Sequence, residues 1–152
     1  MFFFIYRLVT NIIFPFSNIY LKFRILKKKE HASRHKEKLC KTEILRKNGK
    51  LVWIHAASVG ESLSVMPLIE KLESNNDINT ILITTITLSS SEVIEKKIKN
   101  KKKIVHQFLP LDFPIFAKKF IKHWSPNIAI FIESEIWPNL IFEIKKNKIP
   151  LL

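Results

Sequence analysis

At 152 residues, 47% hydrophobic and 26% charged, the chain is long enough to build one domain around its own core, and its composition is not that of a disordered segment. The formal charge of +13 points to an acidic partner such as nucleic acid or an anionic membrane, but residues 1–50 hold 13 of the 26 basic residues against three acids (Glu30, Glu37, Glu43), whereas residues 51–152 hold 13 against ten. A nucleic-acid binder needs its positive charge spread over the folded domain, so this distribution favours a membrane surface, and the lone Cys40 excludes an internal disulfide.

The first element in chain order is "MFFFIYRLVTNIIFPFSNIYL", about the 20 residues that a membrane-spanning helix needs, with Arg7 interrupting it and Pro15 bending it. Seven aromatics in its first twenty residues suit an interfacial anchor equally well, and both placements stay open at this level. No basic residue precedes the apolar start and no small-residue cleavage site follows it, unlike a secretory signal. Lys22, Arg24 and Lys27 to Lys29 come next, and basic flanks stay on the cytoplasmic side. Residues 1–29 are therefore expected to be a membrane-anchor segment, with the remainder cytoplasmic. Residues 30–50 mix charges with few apolar positions and predict an exposed helical connector ending at the Asn48-Gly49 turn.

From residue 51 to residue 152 the pattern alternates. "KLVWIHA", "TILITTIT", "KIVHQFL" and "NIAIFIE" are short β-branched or apolar runs that predict strands, and "IPLL" begins another. Between them "ESLSVMPLIEKLE" sets Leu63, Met66, Ile69 and Leu72 on one helical stripe, and "SSSEVIEKKIK", "FPIFAKKFIKHW" and "IWPNLIFEIKKN" read as three more helices. Strand, helix, strand, helix predicts an α/β fold with a doubly wound parallel sheet. The lysines between 96 and 103 read as a solvated helix end.

In such sheets ligands bind beyond the carboxyl ends of the strands. With glycine only at positions 49 and 60, neither the G-x-G-x-x-G dinucleotide fingerprint nor a P-loop is present. The five histidines form no H-E-x-x-H, and no metal site is expected. What remains at strand ends is carboxylates. Glu61 either complements a helix N-terminus or does chemistry. Glu133 ends the run "NIAIFI", where a carboxylate entering a loop from a buried strand needs a partner or a task. Glu135 reads as a capping acid or a functional one, and His55 as a core-edge imidazole or a proton donor.

"WIHAASVGESLSVMPLI", "TTIT", "LPLDFP" and "FIESEIWPNLI", in this order and spacing, resemble the N-terminal half of the 3-deoxy-D-manno-octulosonic acid (Kdo) transferase family over essentially the whole chain. The resemblance implies a GT-B glycosyltransferase, in which this Rossmann-like domain binds the acceptor, a lipid A precursor, and a second domain binds CMP-Kdo. It implies an inverting transfer with no metal or other cofactor, CMP-Kdo being the donor substrate, at the cytoplasmic face of the inner membrane among anionic lipids. It makes Glu61 the general base, Glu133 the carboxylate that stabilises the transition state, and Ser58, Gly60 and Glu135 acceptor-binding residues. Two departures stand out: "TITLSSS" lacks the glycine usual after the second strand, and the connector lacks the one expected near Cys40. The chain stops at "KIPLL", where the family continues into the donor domain, so it is expected to be inactive alone and to need a donor domain, possibly encoded separately. A non-catalytic remnant of such an enzyme and a basic nucleic-acid-binding protein are the alternatives.

Overall fold

The structure is a computed structural model that describes residues 2–133 and 135–152; Met1 of the expected anchor and Ser134, between the two acids of the E-x-E triplet, lie outside the described residues. Its strands are β1 (Lys50–His55), β2 (Ile78–Thr85), β3 (Ile104–Phe108) and β4 (Ile128–Phe131). Its helices are α1 (Phe2–Ile13), α2 (Ser17–Leu26), α3 (Val59–Ser64), α4 (Met66–Glu73), α5 (Leu88–Ile98), α6 (Pro114–Trp124) and α7 (Pro138–Lys146). The strands form one parallel sheet in the order β3-β2-β1-β4. Beside β4 the terminal "IPLL" starts a further pairing, with Ala129 N donating to Pro150 O and Leu152 N to Ala129 O.

The sheet is covered on both faces, as a parallel sheet must be. Along β1, Leu51 and Trp53 point into one core with Phe120, Trp124, Leu140 and Ile144 of α6 and α7. Val52 and Ile54 point into the other, with Met66, Ile69 and Ile94 of α4 and α5. The period of two therefore carries apolar residues on both sides, and β1 is buried from Leu51 to His55. The expected single helix after β1 is two. Pro67, in the first turn of α4, has no N–H to continue α3, and the break leaves Leu63 exposed, so the buried stripe begins at Met66.

The strand β1 starts at a glycine that cannot be replaced. Gly49 has φ 101°, and a Cβ there would fall 2.1 Å from Asn79 Oδ1, the oxygen that accepts from Lys50 N. Both missing glycines are also accounted for. Cys40 takes the left-handed conformation itself (φ 54°) as the C-cap of a short 3-10 turn, its Sγ donating to Phe116 O. A non-glycine residue there costs about 1 kcal/mol. After β2, Thr87 and Ser90 form a reciprocal cap: Thr87 Oγ1 accepts from Ser90 N, and Ser90 Oγ from Thr87 N.

The connector is the main correction. It is no exposed helix: only Arg34–Leu39 turns, as a 3-10 helix, and Glu30, Glu37 and Lys38 are buried. Charged residues go inside here because each finds a partner. Arg34 holds Glu37 through Nε and Nη2, and Glu37 Oε2 accepts the N–H of Phe108 at the end of β3. Arg34 Nη2 also lies 3.1 Å from His106 Nδ1. A guanidinium only donates, so that nitrogen accepts and the ring proton sits on Nε2, facing Thr85 Oγ1. Burial first, and then the Arg34 charge, push His106 down to about 3. Lys38 Nζ pairs with Glu30, which also pairs with Arg24 of α2, and donates to Ile86 O beyond β2. Its few buried charges make the start of the segment a clasp between the N-terminal helices and the sheet.

The two N-terminal helices are continuous except for a 3-10 turn at Phe14–Phe16 around Pro15. Together they make a helical run, Phe2–Leu26, long and apolar enough to cross a membrane. One face is docked along the domain: Phe3 stacks on Phe142 of α7 with Arg7 over the same ring, and Leu21 is buried with Leu39 and Phe116. The outer face bears Phe4, Leu8, Ile12, Ile19 and Phe23, all exposed.

Candidate active site

The strand order puts β2 and β3 on one side of β1 and β4 on the other. The carboxyl end of β1 is thus the topological switch point, where doubly wound sheets open a crevice for ligands. His55 closes β1 there, opposite Thr84 of β2 and Phe131 of β4. Glu61 follows β1 by one turn, and Glu133 and Glu135 follow β4. The fold therefore brings to one place the three carboxylates and the histidine singled out in the sequence.

Ser58 is the N-cap of α3, its Oγ accepting from Glu61 N. Glu61, in the first turn, reaches back so that its Oε2 accepts from Ala57 N at 2.7 Å. This is a variant of the capping box, anchored one residue earlier. The capping role is thus real and occupies one oxygen. The other, Oε1, makes no hydrogen bond among the described residues and is not enclosed, although Glu61 as a residue is buried. The result is a carboxylate fixed by one oxygen and open at the other. Gly60 and Ser58 beside it are exposed, and a Cβ on Gly60 would meet nothing nearer than Ser58 Oγ at 4.0 Å. Folding does not require that glycine; what it leaves is free space over the start of α3.

His55 is fully buried, and burial lowers its pKa despite the opposing pull of Thr84, Glu135 and Glu61, so the ring is neutral near pH 7. Its Nδ1 lies 3.0 Å from Thr84 Oγ1, which accepts from Trp53 Nε1, and 3.1 Å from Thr84 O; its Nε2 lies 3.5 Å from Glu135 Oε2. The Thr84 carbonyl only accepts, so the ring proton sits on Nδ1, and Nε2 has no hydrogen-bond partner among the described residues but faces the Glu135 carboxylate. Trp137 Nε1 donates to Glu135 Oε2, at 2.7 Å. Glu135 is thereby held by Trp137 beside the His55 ring while its side chain stays 30% exposed.

Glu133 is placed differently from the expectation. It has φ 63°, its side chain is exposed, and it makes no hydrogen bond or ion pair among the described residues. The desolvation argument that singled it out does not apply, since the chain leaves the sheet through a left-handed residue that turns the side chain to solvent. A non-glycine residue in that conformation costs about 1 kcal/mol and is found where a site dictates the backbone.

Two residues were missed by the sequence reading. Trp137, in the "EIWPN" stretch, carries the contact to Glu135. Asp112, in "LPLDFP", is buried and caps α7 from another loop: its Oδ2 accepts from Asn139 N and its Oδ1 from Leu140 N. Asn139 Nδ2 donates in turn to Asp112 O, and Tyr6 of α1 donates to Asp112 Oδ2 at 2.9 Å. Burial raises the Asp112 pKa against those donors. A lone acid between apolar residues and prolines was the available signal. No cluster of metal-ligating side chains occurs among the described residues.

A cavity of about 470 Å³ lies between the ends of α6 and α7, lined by Lys118, Lys122 and Lys146 among others. It is far from the strand ends that carry the carboxylates. Its lysines face the last turns of two helices, where cations offset the negative end of the macrodipole.

A covered parallel sheet with carboxylates at its switch point defines a Rossmann-like domain. The model of the 3-deoxy-D-manno-octulosonic-acid transferase (kdotransferase) family matches residues 30–152, and the chain belongs to that family. It is 37% identical to a probable mitochondrial 3-deoxy-D-manno-octulosonic acid transferase of Arabidopsis thaliana over 97% of this chain and 32% of that protein. It is 36% identical to the 3-deoxy-D-manno-octulosonic acid transferase of Rickettsia bellii over 93% of this chain and 34% of that protein. With the Rickettsia felis enzyme it shares 48% identity over 61% of its own length and 20% of the relative's. The chain thus spans about a third of the length of the first and second of these.

Proposed function

We propose that this chain forms the acceptor side of an inverting glycosyltransferase that moves Kdo from CMP-Kdo to a lipid A precursor in lipopolysaccharide synthesis. The observation that carries the reading is Glu61, fixed through Oε2 by Ala57 N with Oε1 open beside exposed Ser58 and Gly60. An alcohol is a poor nucleophile until its proton leaves as the new bond forms, and a tethered carboxylate is suited to take it. The acceptor oxygen then attacks the anomeric carbon of Kdo, the bond to the phosphate oxygen breaks, CMP departs with the electron pair, and the proton stays on Glu61. No covalent enzyme intermediate arises, and no metal or cofactor takes part.

Glu133 stabilises the charge that develops in the transition state, and its solvent-facing side chain suits a group that meets its partner only when substrate is bound. Ser58, Gly60 and Glu135 contact the acceptor, with Trp137 setting Glu135. CMP-Kdo is bound by the remaining part of the enzyme. The test is a chimera in which this chain is joined to the rest of a relative: Kdo should pass from CMP-Kdo to a lipid A precursor, and no transfer by a folded chimera would sink the reading.

The anchor is proposed to lie in the membrane interface at the cytoplasmic face of the inner membrane. Tyr6 bonded to Asp112 and Leu21 buried with Phe116 support lying flat over spanning, because they tie the helical run at two points to one domain. Lys22 and Lys27 to Lys29 each add about 1 kcal/mol near an anionic surface. The full chain should sediment with phosphatidylglycerol vesicles, more weakly at high salt, and a chain starting at Glu30 should stay in the supernatant. Sedimentation of both forms alike would place the membrane contact elsewhere.

A further inference from the structure

A groove of about 460 Å³ runs between the N-terminal helices and the domain. Its helix wall is made by Tyr6, Thr10, Ile13, Phe16, Ser17 and Tyr20, 14 steps along the run, or ~21 Å at about 1.5 Å per residue. That exceeds the ~15 Å that the chains of one leaflet fill in a ~30 Å hydrocarbon core. Leu111, Phe113 and Trp137 form the domain wall. The lining is almost wholly apolar, and its two strongest polar groups, Tyr6 Oη and Asp112, are bonded to each other. A ligand here is offered shape and apolar contact but little polar recognition.

The groove's two walls identify the occupant. One wall is the helical run whose outer face is the apolar, membrane-facing one, and the other includes Trp137, whose indole N–H holds Glu135 in the carboxylate site. A molecule with its sugar at those carboxylates and its tail in the bilayer has to pass Trp137. We propose that this groove receives one acyl chain of the acceptor lipid, an inference that rests on the acceptor reading above. The helical run then acts as one wall of the substrate site as well as an anchor. A chain seated there adds close apolar contact with the protein, which makes the acylated acceptor the tighter ligand.

The experiment uses the full chain in phosphatidylglycerol nanodiscs and a lipid A precursor brominated on one acyl chain. Bromine quenches tryptophan only at contact; Trp53 and Trp124 are 0% and 1% exposed, so the quenched signal should come from Trp137 and vanish in Trp137→Phe. Thr10→Trp fills the groove and should weaken binding of the acylated precursor at least tenfold, while the deacylated disaccharide phosphate binds within twofold of its parent value. Equal quenching by brominated phosphatidylglycerol that the precursor does not displace would overturn the proposal in favour of a bulk lipid chain. Binding of the deacylated form with no gain from acylation and no effect of Thr10→Trp would overturn it too, with the acceptor site intact. If the parent chain binds neither form, the acceptor reading itself fails and the groove proposal with it.

Discussion

Glu61→Gln in a chimera completed by the rest of a relative is expected to lower Kdo transfer 10²- to 10⁴-fold, the usual cost of losing a general base. The substitution is nearly isosteric. Gln keeps an oxygen for Ala57 N, so the start of α3 should survive, and the thermal midpoint should move by no more than the few degrees that one capping contact is worth. Acceptor affinity should stay within about threefold, because the lost function is proton removal in the transition state. Glu61→Ala separates the two roles, since it removes the cap as well and should lower stability by about 1 kcal/mol. Transfer by Glu61→Gln within about threefold of the parent would return Glu61 to a purely capping role. Glu133→Gln should also impair turnover, with little change in acceptor affinity.

The second large effect is one of stability. Asp112→Ala takes away the acceptor for Asn139 N and Leu140 N at the start of α7 and leaves Tyr6 Oη without its partner. Loss of one capping bond costs about 0.5–2 kcal/mol and leaving the second buried N–H unpaired about 1–3, so the sum should be about 2–4 kcal/mol, the exposed Tyr6 hydroxyl being free to turn to water. For a chain of this size that is a fall in Tm on the order of 5–15 °C. Tyr6→Phe removes one donor and should cost about 1 kcal/mol. Because α7 begins directly after Trp137, Asp112→Ala should also loosen the indole that holds Glu135, visible as a change in Trp137 fluorescence. A Tm within 2 °C of the parent would mean that the start of α7 is fixed by other contacts.

The order of strands and helices was legible because the alternation leaves a periodic trace in each element: Leu51 to Ile54 alternate between two cores, and Thr87 and Ser90 sit where a cap belongs. Where the connector lacks the glycine expected near Cys40, Cys40 itself takes the left-handed conformation. The connector was misread for a physical reason. A string of charges reads as solvated unless partners are known, and those of Glu37 and Lys38 lie at Phe108 N and Ile86 O, 71 and 48 residues away. The carboxylates were visible as chemistry out of place at strand ends, yet their division of labour was not. Glu135, read as a cap or a functional acid, is held by Trp137 beside His55, whereas Glu133, expected to have a partner, faces solvent. Such pairings depend on which strands become neighbours, and on a loop turning at one residue with φ 63°.

The central claim is a location: the acceptor sits at the carboxyl ends of β1 and β4, against Glu61. The most direct test is to photolabel the full chain with a lipid A precursor bearing a photoreactive group on its sugar and to map the labelled peptides. Label should concentrate on Ala57 to Glu61 and on Glu135 to Trp137, and excess unlabelled precursor should abolish it. Label concentrated on the lysine-lined cavity at Lys118, Lys122 and Lys146 would put the sugar phosphate at the opposite end of the sheet and contradict the account.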